Sequence, residues 1–233
     1  MITSANSIVS VLFFPPFDIP NKAAFVSGFS EFTRIFDADP MILPIGNAPP
    51  GVPRIVLKKR DGSYACEIAL DRLSFTYADT INCKRSLEAL YPEYRGHLQF
   101  VVEAALAGIG SPVIRMGFVT RHLLELGAGA NEWIRRWFLR ADRLPGEAFE
   151  THVNVLHRLD LESFPVNRWI KIRSLRDQQH PERDPAALLE IDINTLPEHT
   201  GPYDRTALLA FYLEGFARAE EELKACLAEV TEP

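Results

Sequence analysis

The sequence predicts an α+β fold, in which a mainly antiparallel sheet carries helices on one of its faces. Three observations lead to this class. Short runs of alternating apolar and polar residues are typical of strands, and apolar residues at three- and four-residue spacing are typical of amphipathic helices. Most links between the predicted strands are too short for a parallel crossover. The helices must bury their apolar sides on the sheet, which gives a layered structure.

The first half of the sequence, residues 1–110, begins with a strand and a helix. Ser7–Phe14 is rich in β-branched and aromatic residues, which favour a strand. Asn21 can cap a helix over Lys22–Phe36, in which four phenylalanines form one apolar stripe. The stretch 39–53 contains five prolines and two glycines, and this composition predicts a loop.

Three strands and a second helix complete this half. An Asp-Gly dipeptide at 61–62 is typical of a two-residue hairpin turn, here between strands at 54–60 and 63–70. Alternation over 73–77 predicts the third strand. Pro92 suits the first position of the helix that follows, because its missing N–H would have no partner there.

The same order of elements then starts again in residues 111–233. The predicted elements are a strand at 113–124, a short helix at 132–140 capped by Asn131, strands near 149–155, 166–175 and 189–193, and a closing helix at 204–230. Both halves therefore follow the order strand, helix, three strands, helix. We predict two β-α-β-β-β-α pseudo-repeats, 1–110 and 111–233, within a single compact domain.

Composition limits the classes of function. The chain has 233 residues, of which 47% are apolar and 24% charged, with a net charge of −6, and these values are typical of soluble globular proteins. No uncharged apolar run approaches the ~18 residues of a spanning helix, so we expect no membrane contact. The three cysteines are widely spaced and odd in number, which favours a reducing cytoplasm over a disulfide framework.

Two clusters combine tryptophan with basic residues and are the candidate binding surfaces. They are Trp133, Arg135, Arg136 and Arg140 on the predicted short helix, and Arg168, Trp169, Lys171 and Arg173 on a predicted strand. Aromatic rings among basic side chains can stack on bases and neutralise phosphates, or anchor a protein partner. The alternative is that the tryptophans pack in the core while the basic side chains stay in water.

A second candidate site consists of carboxylates. Glu190 and Asp192 are two residues apart on a predicted strand, so they share a face and could bind a divalent metal ion. His122 on a central strand is the histidine that could join them. The alternative is a solvated polar face opposite an apolar one. The sequence contains no motif for a nucleotide, a structural metal or a catalytic nucleophile, and we expect no cofactor.

Two segments carry a family resemblance. The first contains Ala69–Ser74, then an aromatic helix, then Ile114–Arg121; the second is Leu189–Ile193 before a long closing helix. They resemble a sporadically distributed, uncharacterised prokaryotic family with a strand of the type Arg-Leu-Gly-Leu-Arg-Tyr-Ile-Asn and another of the type Leu-Asp-Ile-Asp. The resemblance covers nearly the whole chain.

The sequence departs from that family pattern at four positions. Val119 and Thr120 replace the usual Arg-Tyr pair, His122 stands near the usual Asn, and Glu190 replaces the first Asp. A family site that used those groups would be absent here. The patchy distribution of the family implies horizontally exchanged genes, such as those of defence or toxin–antitoxin systems.

Three functions remain open on the sequence. The first is a non-catalytic cytoplasmic interaction protein, in which the Trp/Arg clusters bind a protein partner. The second is a nucleic-acid binder that uses the same basic residues, although the net acidity gives no general attraction to phosphate. The third is a metal-dependent hydrolase built on Glu190, Asp192 and His122. The sequence predicts neither the oligomeric state nor which face of the sheet is exposed.

Overall fold

A computed structural model of the protein shows that the described residues of the chain form one nine-stranded antiparallel sheet with four helices. The structure describes residues 2–19, 21–29, 34–44, 47–80, 82–126, 129–139, 150–180 and 182–228. Its elements are β1 (Ile2–Phe13), α1 (Lys22–Gly28), β2 (Met41–Ile42), β3 (Ile55–Lys58), β4 (Tyr64–Ile68), β5 (Arg72–Ala78), α2 (Leu87–Gly108), β6 (Arg115–Glu125), α3 (Ala130–Phe138), β7 (His152–Asp160), β8 (Pro165–Leu175), β9 (Ala186–Thr195) and α4 (Arg205–Ala228). The predicted α+β class is confirmed.

The strand order is β2-β3-β4-β5-β1-β6-β9-β8-β7, and every neighbouring pair is antiparallel. The two halves of the sequence meet at β1 and β6, which pair from Ile2 opposite Glu125 to Phe13 opposite Arg115. A bulge interrupts this register between Ala5 and Ser7. The element order agrees in the two halves apart from β2, and the internal repeat itself stays a prediction.

The four helices lie on one side of the sheet, which we call the helix side. Apolar side chains of alternate strand residues point to this side, and Phe75, for example, stacks on Tyr94 of α2. Phe118 of β6 contacts Tyr212 of α4, and the Tyr94 hydroxyl hydrogen-bonds with Ser10 at 2.9 Å. The opposite side, which no described helix covers, we call the open face.

Two predicted boundaries differ from the structure, and at the first of them tertiary contacts outweigh a local signal. Helix α2 begins at Leu87, where the Ser86 side chain accepts a hydrogen bond from Ala89 N, so Pro92 lies inside the helix and not at its start. Its first turns are held by buried Leu90 and Tyr91 despite the proline. Helix α1 ends at Gly28, and the remainder of its predicted span includes 30–33, which lie outside the described residues.

Two further differences concern the predicted loops and caps. The proline-rich stretch 39–53, predicted as a loop, contributes the short strand β2, whose Met41 pairs with Val56. Helix α3 is not capped by the Asn131 side chain, which accepts a hydrogen bond from the Ser174 hydroxyl at 2.7 Å. Instead, the Asp184 carboxylate accepts hydrogen bonds from backbone N–H groups at the start of α3.

Candidate functional site on the open face of the sheet

Strand alternation divides the predicted basic strand cluster between the two sides of the sheet. Trp169, Lys171 and Arg173 lie on the open face, because they stand opposite Asp192, Glu190 and Leu188 of β9. Arg168 points to the helix side, where it forms an ion pair with Glu222 of α4, and both side chains are buried. The prediction that Arg168 belongs to an exposed binding surface is therefore wrong.

The other predicted cluster lies on α3, on the helix side of the sheet. Trp133 is half-buried and meets the Phe138 ring edge-on at 5.6 Å between centroids. Arg135 is mostly covered and lies 3.6 Å from the Glu132 carboxylate, whereas Arg136 is exposed and stacks over the Trp137 ring. Arg140 lies outside the described residues. The two clusters therefore do not form one continuous surface.

A chain of ion pairs crosses the open face from β6 to β8. Arg121 Nε donates to Glu190 Oε2 at 2.6 Å, and Lys171 Nζ donates to Glu190 Oε1 at 2.7 Å. Lys171 also lies 3.3 Å from Asp192 Oδ2, and Asp192 in turn accepts a hydrogen bond from the Asn194 amide. These groups come from three adjacent strands, and the register Arg121–Glu190–Lys171 places them side by side.

The network determines the protonation of its central groups. Burial by itself would raise the pKa of Glu190, but hydrogen bonds from Lys171 and Arg121 outweigh it and hold this pKa below its usual range. Burial would likewise lower the pKa of Lys171, but the Glu190 and Asp192 carboxylates outweigh it and raise this pKa. We therefore expect Glu190 to be ionised and Lys171 to be charged at neutral pH.

A pocket of about 320 Å³ opens beside this network, above β6, β9, β8 and β7. Its side chains combine cations, a carboxylate, an amide and an apolar floor: Arg121, Lys171, Arg173, His152, Asn154, Glu190 and Leu188. Arg173 is exposed and has no ion-pair partner within the described part of the chain. Three basic side chains, of Arg121, Lys171 and Arg173, therefore line the pocket beside the one lining carboxylate, that of Glu190.

The predicted metal ligands do not converge. Glu190 and Asp192 share the open face, as expected, but both carboxylates are engaged by Lys171. His122 points to the helix side, where it is fully buried, because it stands opposite Leu189 and not opposite Glu190. Within the described residues, no three His, Cys, Asp or Glu side chains gather as a metal site. The ligand set Glu190, Asp192 and His122 is therefore wrong as a site.

Sequence reasoning missed Arg121, His152, Asn154 and Leu188 as members of the pocket. Arg121 and Glu190 are 69 residues apart, and only the pairing of β6 with β9 brings them together. The usable signal was the alternation in β6, which puts Arg121 on the face opposite His122. It becomes informative only once the neighbour of β6 in the sheet is known.

Comparisons with known proteins identify neither a family nor a function for this chain. No protein-family model and no curated protein matches this sequence. Among solved structures, the chain is similar to a rolling circle replication initiator protein from Geobacillus stearothermophilus, with 9% sequence identity over 96% of this chain and 84% of that chain and a TM-score of 0.34. A likeness this weak carries no argument for function. Separately, none of the described helices combines the length and apolarity needed to cross a membrane.

Proposed function

We propose that this chain is a non-catalytic protein-binding module, which holds an acidic segment of its partner on the open face of the sheet. One observation carries the proposal: the side chains of Arg121, Lys171 and Arg173 line one pocket together with the carboxylate of Glu190. Charge-assisted hydrogen bonds to a carboxylate are among the stronger polar contacts in proteins. A partner Asp or Glu side chain is the complementary group.

The charge balance of the pocket favours an incoming carboxylate. Glu190 is shared between Arg121 and Lys171, so it cannot also neutralise Arg173. Arg173 is exposed, and its guanidinium offers two parallel N–H groups that match the two oxygens of a carboxylate. The site is therefore locally cationic, although the whole chain carries a net charge of −6.

The surroundings of the pocket suit a polypeptide. Trp169 and Leu156 stand opposite each other on the open face, and Leu188 lies in the pocket itself. Tryptophan and arginine are enriched in protein interfaces, where an aromatic ring supplies buried area and arginine supplies directed polar contacts. An acidic segment with neighbouring apolar residues would meet both features.

The proposal of a non-catalytic role rests on the protonation of the same groups. A general acid or base works best with a pKa near the operating pH. Glu190, in contrast, has a pKa below its usual range, and it is ion-paired on both oxygens. These contacts favour a structural role for the Glu190 carboxylate, which orients Arg121 and Lys171, and they disfavour a role in proton transfer.

A displayed library of random peptides tests this function. Peptides selected on the immobilised full-length chain should be enriched in Asp and Glu next to apolar residues. Replacing Arg173 by Ala should weaken binding of a selected peptide by about tenfold to a hundredfold, since a charged hydrogen-bonded pair contributes about 1.5–3 kcal/mol. Lys171→Met should weaken binding as well, because it removes a second cation from the pocket.

A matched control comes from the other side of the sheet. Arg136→Ala removes an exposed arginine from α3 and should leave peptide binding unchanged. Selected peptides without acidic enrichment, or peptides whose affinity is the same for the wild-type and Arg173→Ala chains, would count against the proposal. Raised salt should weaken binding of the acidic peptides to the wild-type chain.

Nucleic-acid binding is the second candidate, and one observation favours it. Lys171 Nζ lies 5.8 Å from the centroid of the Trp169 ring, so a stacking platform and a cation lie next to each other on the open face. A single-stranded oligonucleotide then binds with a strong salt dependence, and Trp169→Ala weakens it. The Asp192 carboxylate beside Lys171 would repel the phosphates of a nucleic acid, so we place this function second. A role in a defence-type system stays a prediction from the family resemblance.

A further inference from the structure

We propose that two copies of this chain associate through the outer edge of β7, so that one antiparallel sheet continues across both copies. In the described structure β7 is the last strand of the sheet, and seven of its nine residues are exposed. Long exposed edge strands are templates for pairing with another strand. At the other end of the sheet, β2 has two residues and offers no comparable edge.

The backbone of β7 presents its free hydrogen-bonding groups at the even-numbered positions. Just outside the strand, Ser174 N donates to Thr151 O at 3.2 Å, and Leu161 N donates to Phe164 O at 2.9 Å. Successive residues of a strand direct their N–H and C=O groups to alternate edges, so the odd-numbered residues face β8. The backbone groups of His152, Asn154, Leu156, Arg158 and Asp160 then point outward.

The sequence of β7 is complementary to itself in an antiparallel pair centred on Leu156. A second copy in this register places His152 opposite Asp160, Asn154 opposite Arg158, Val153 opposite Leu159, and Leu156 opposite its own counterpart. A two-fold interface requires this kind of self-complementarity. Cross-strand apolar pairs, and pairs of opposite charge, each stabilise a sheet.

Exposed apolar groups lie on both sides of this edge. Leu156 is 43% exposed on the open face, and Val155 is 39% exposed on the helix side. Edge strands that avoid association commonly carry charged side chains or Pro; β7 has neither Lys nor Pro, and its charged residues Arg158 and Asp160 lie towards its C-terminal end. In the paired state Leu156 would cover its counterpart, and Val155 would lie opposite His157 of the second copy. The polar pairs of this register and the meeting of Leu156 with its own counterpart favour a second copy over an unrelated strand.

The association would also join the two candidate sites. His152 and Asn154 line the pocket on the open face and belong to the strand at the proposed interface. The two pockets would therefore lie on the same continuous face, on either side of the two-fold axis. Dimerisation through β7 needs no bound peptide. It can therefore be absent when the chain binds an acidic peptide, and it can be present when no peptide binds.

Sedimentation of the full chain over a wide range of concentrations tests the association. The wild-type chain should pass from monomer to dimer as its concentration rises. Leu156→Lys places two ammonium groups next to each other on the two-fold axis and should raise the dissociation constant by about tenfold or more. Circular dichroism of each variant establishes that it is folded, and Arg136→Ala on α3 serves as the control that should dimerise normally.

A charge exchange tests the register. Asn154→Lys places a lysine opposite Arg158 twice in each dimer and should raise the dissociation constant by about tenfold. In a Glu198→Gln background, which removes the carboxylate that lies 3.2 Å from Arg158 in the same chain, adding Arg158→Glu turns both contacts into ion pairs and should restore the dimer. A chain that stays monomeric at every concentration, or a dimer that is unaffected by Leu156→Lys, overturns the proposal. Failure of the double variant in this background to restore association overturns the register centred on Leu156.

Discussion

Arg168 of β8 and Glu222 of α4 form an ion pair between the sheet and the closing helix, where both side chains are almost completely buried. Glu222 Oε1 also lies 2.6 Å from Nη2 of Arg218, and Arg168 Nη2 donates to His157 Nδ1 at 2.6 Å. The pair connects the end of α4 to a strand far away in the sequence. Its cost of desolvation is offset only while both partners remain.

Removal of one partner from this pair should destabilise the fold. Glu222→Ala leaves the buried Arg168 guanidinium without its carboxylate and should lower the free energy of unfolding by about 3 kcal/mol. Arg168→Met/Glu222→Met replaces both charges by apolar groups, and it should lose less stability than the sum of the losses from Arg168→Met alone and Glu222→Met alone. Urea unfolding of the four chains measures this coupling. Additive losses would show that the two charges do not depend on each other.

Most of the fold could be predicted from short patterns. The alternation of Leu189, Ile191 and Ile193 located β9, and the Asp-Gly dipeptide at 61–62 located the hairpin between β3 and β4. These signals are local, because alternate residues of a strand face opposite sides whatever strand lies next to it. The prediction for Pro92 was wrong because buried contacts of the first turns of α2 stabilise a helix that the local preference opposes.

The site could be predicted only in part. Trp169, Lys171 and Arg173 were recognised as basic and aromatic residues of one strand, and they do share the open face. Arg168 is their neighbour in the sequence, but the two-residue period of the strand places it on the helix side. The partners of Lys171 could not be predicted, since the order β6-β9-β8 is a non-local property of the sheet.

Gly117 of β6 lies directly against the side chain of Asn194 in β9. A Cβ atom on Gly117 would lie 2.5 Å from Oδ1 of Asn194, which stands opposite it in the register. Gly117→Ala should therefore displace the flexible Asn194 side chain, break its hydrogen bond to Asp192 and lower the free energy of unfolding by about 1 kcal/mol. Adding Asn194→Ala removes the obstructing oxygen and should restore part of the loss in thermal or urea unfolding.

A glycine of α2 provides the matched control. A Cβ atom on Gly96 would meet no other atom within 4 Å, so Gly96→Ala adds a methyl group in open space. This change should raise stability by about 0.5–1 kcal/mol, because alanine has the higher helix propensity. If Gly117→Ala and Gly96→Ala shift the unfolding midpoint in the same direction, the close approach at Gly117 has no energetic consequence.

The start of α3 depends on a carboxylate from the loop before β9. Asp184 Oδ1 accepts from Gly129 N at 3.1 Å, and Oδ2 accepts from Asn131 N at 2.5 Å. Asp184→Ala should lower the free energy of unfolding by about 1 kcal/mol, the usual effect of losing a helix N-cap, whereas Asp184→Asn keeps one acceptor and should lose less. Urea unfolding compares the two variants, and equal losses would contradict the capping role.

His122 is the buried titratable group whose environment predicts a pH effect. It is fully buried on the helix side, where its Nε2 lies 3.0 Å from the Thr120 hydroxyl oxygen, and burial lowers its pKa from 6.5 to about 4. The neutral ring suits this position, because a charged imidazolium would lose its hydration there. The same burial separates His122 from the carboxylates of the open face.

Stability should therefore fall in mild acid through His122. Above pH 6.5 the ring is neutral in both the folded and the unfolded chain, and its contribution is fully present. Between pH 6.5 and 4 the unfolded chain takes up the proton first, so the free energy of unfolding should fall by up to about 3 kcal/mol over that window. His122→Gln cannot take up this proton, so its loss of stability across the same window should be smaller than that of the wild-type chain. Urea unfolding of both chains at neutral pH and near pH 4 measures the difference, and parallel losses would mean that groups other than His122 cause the acid sensitivity.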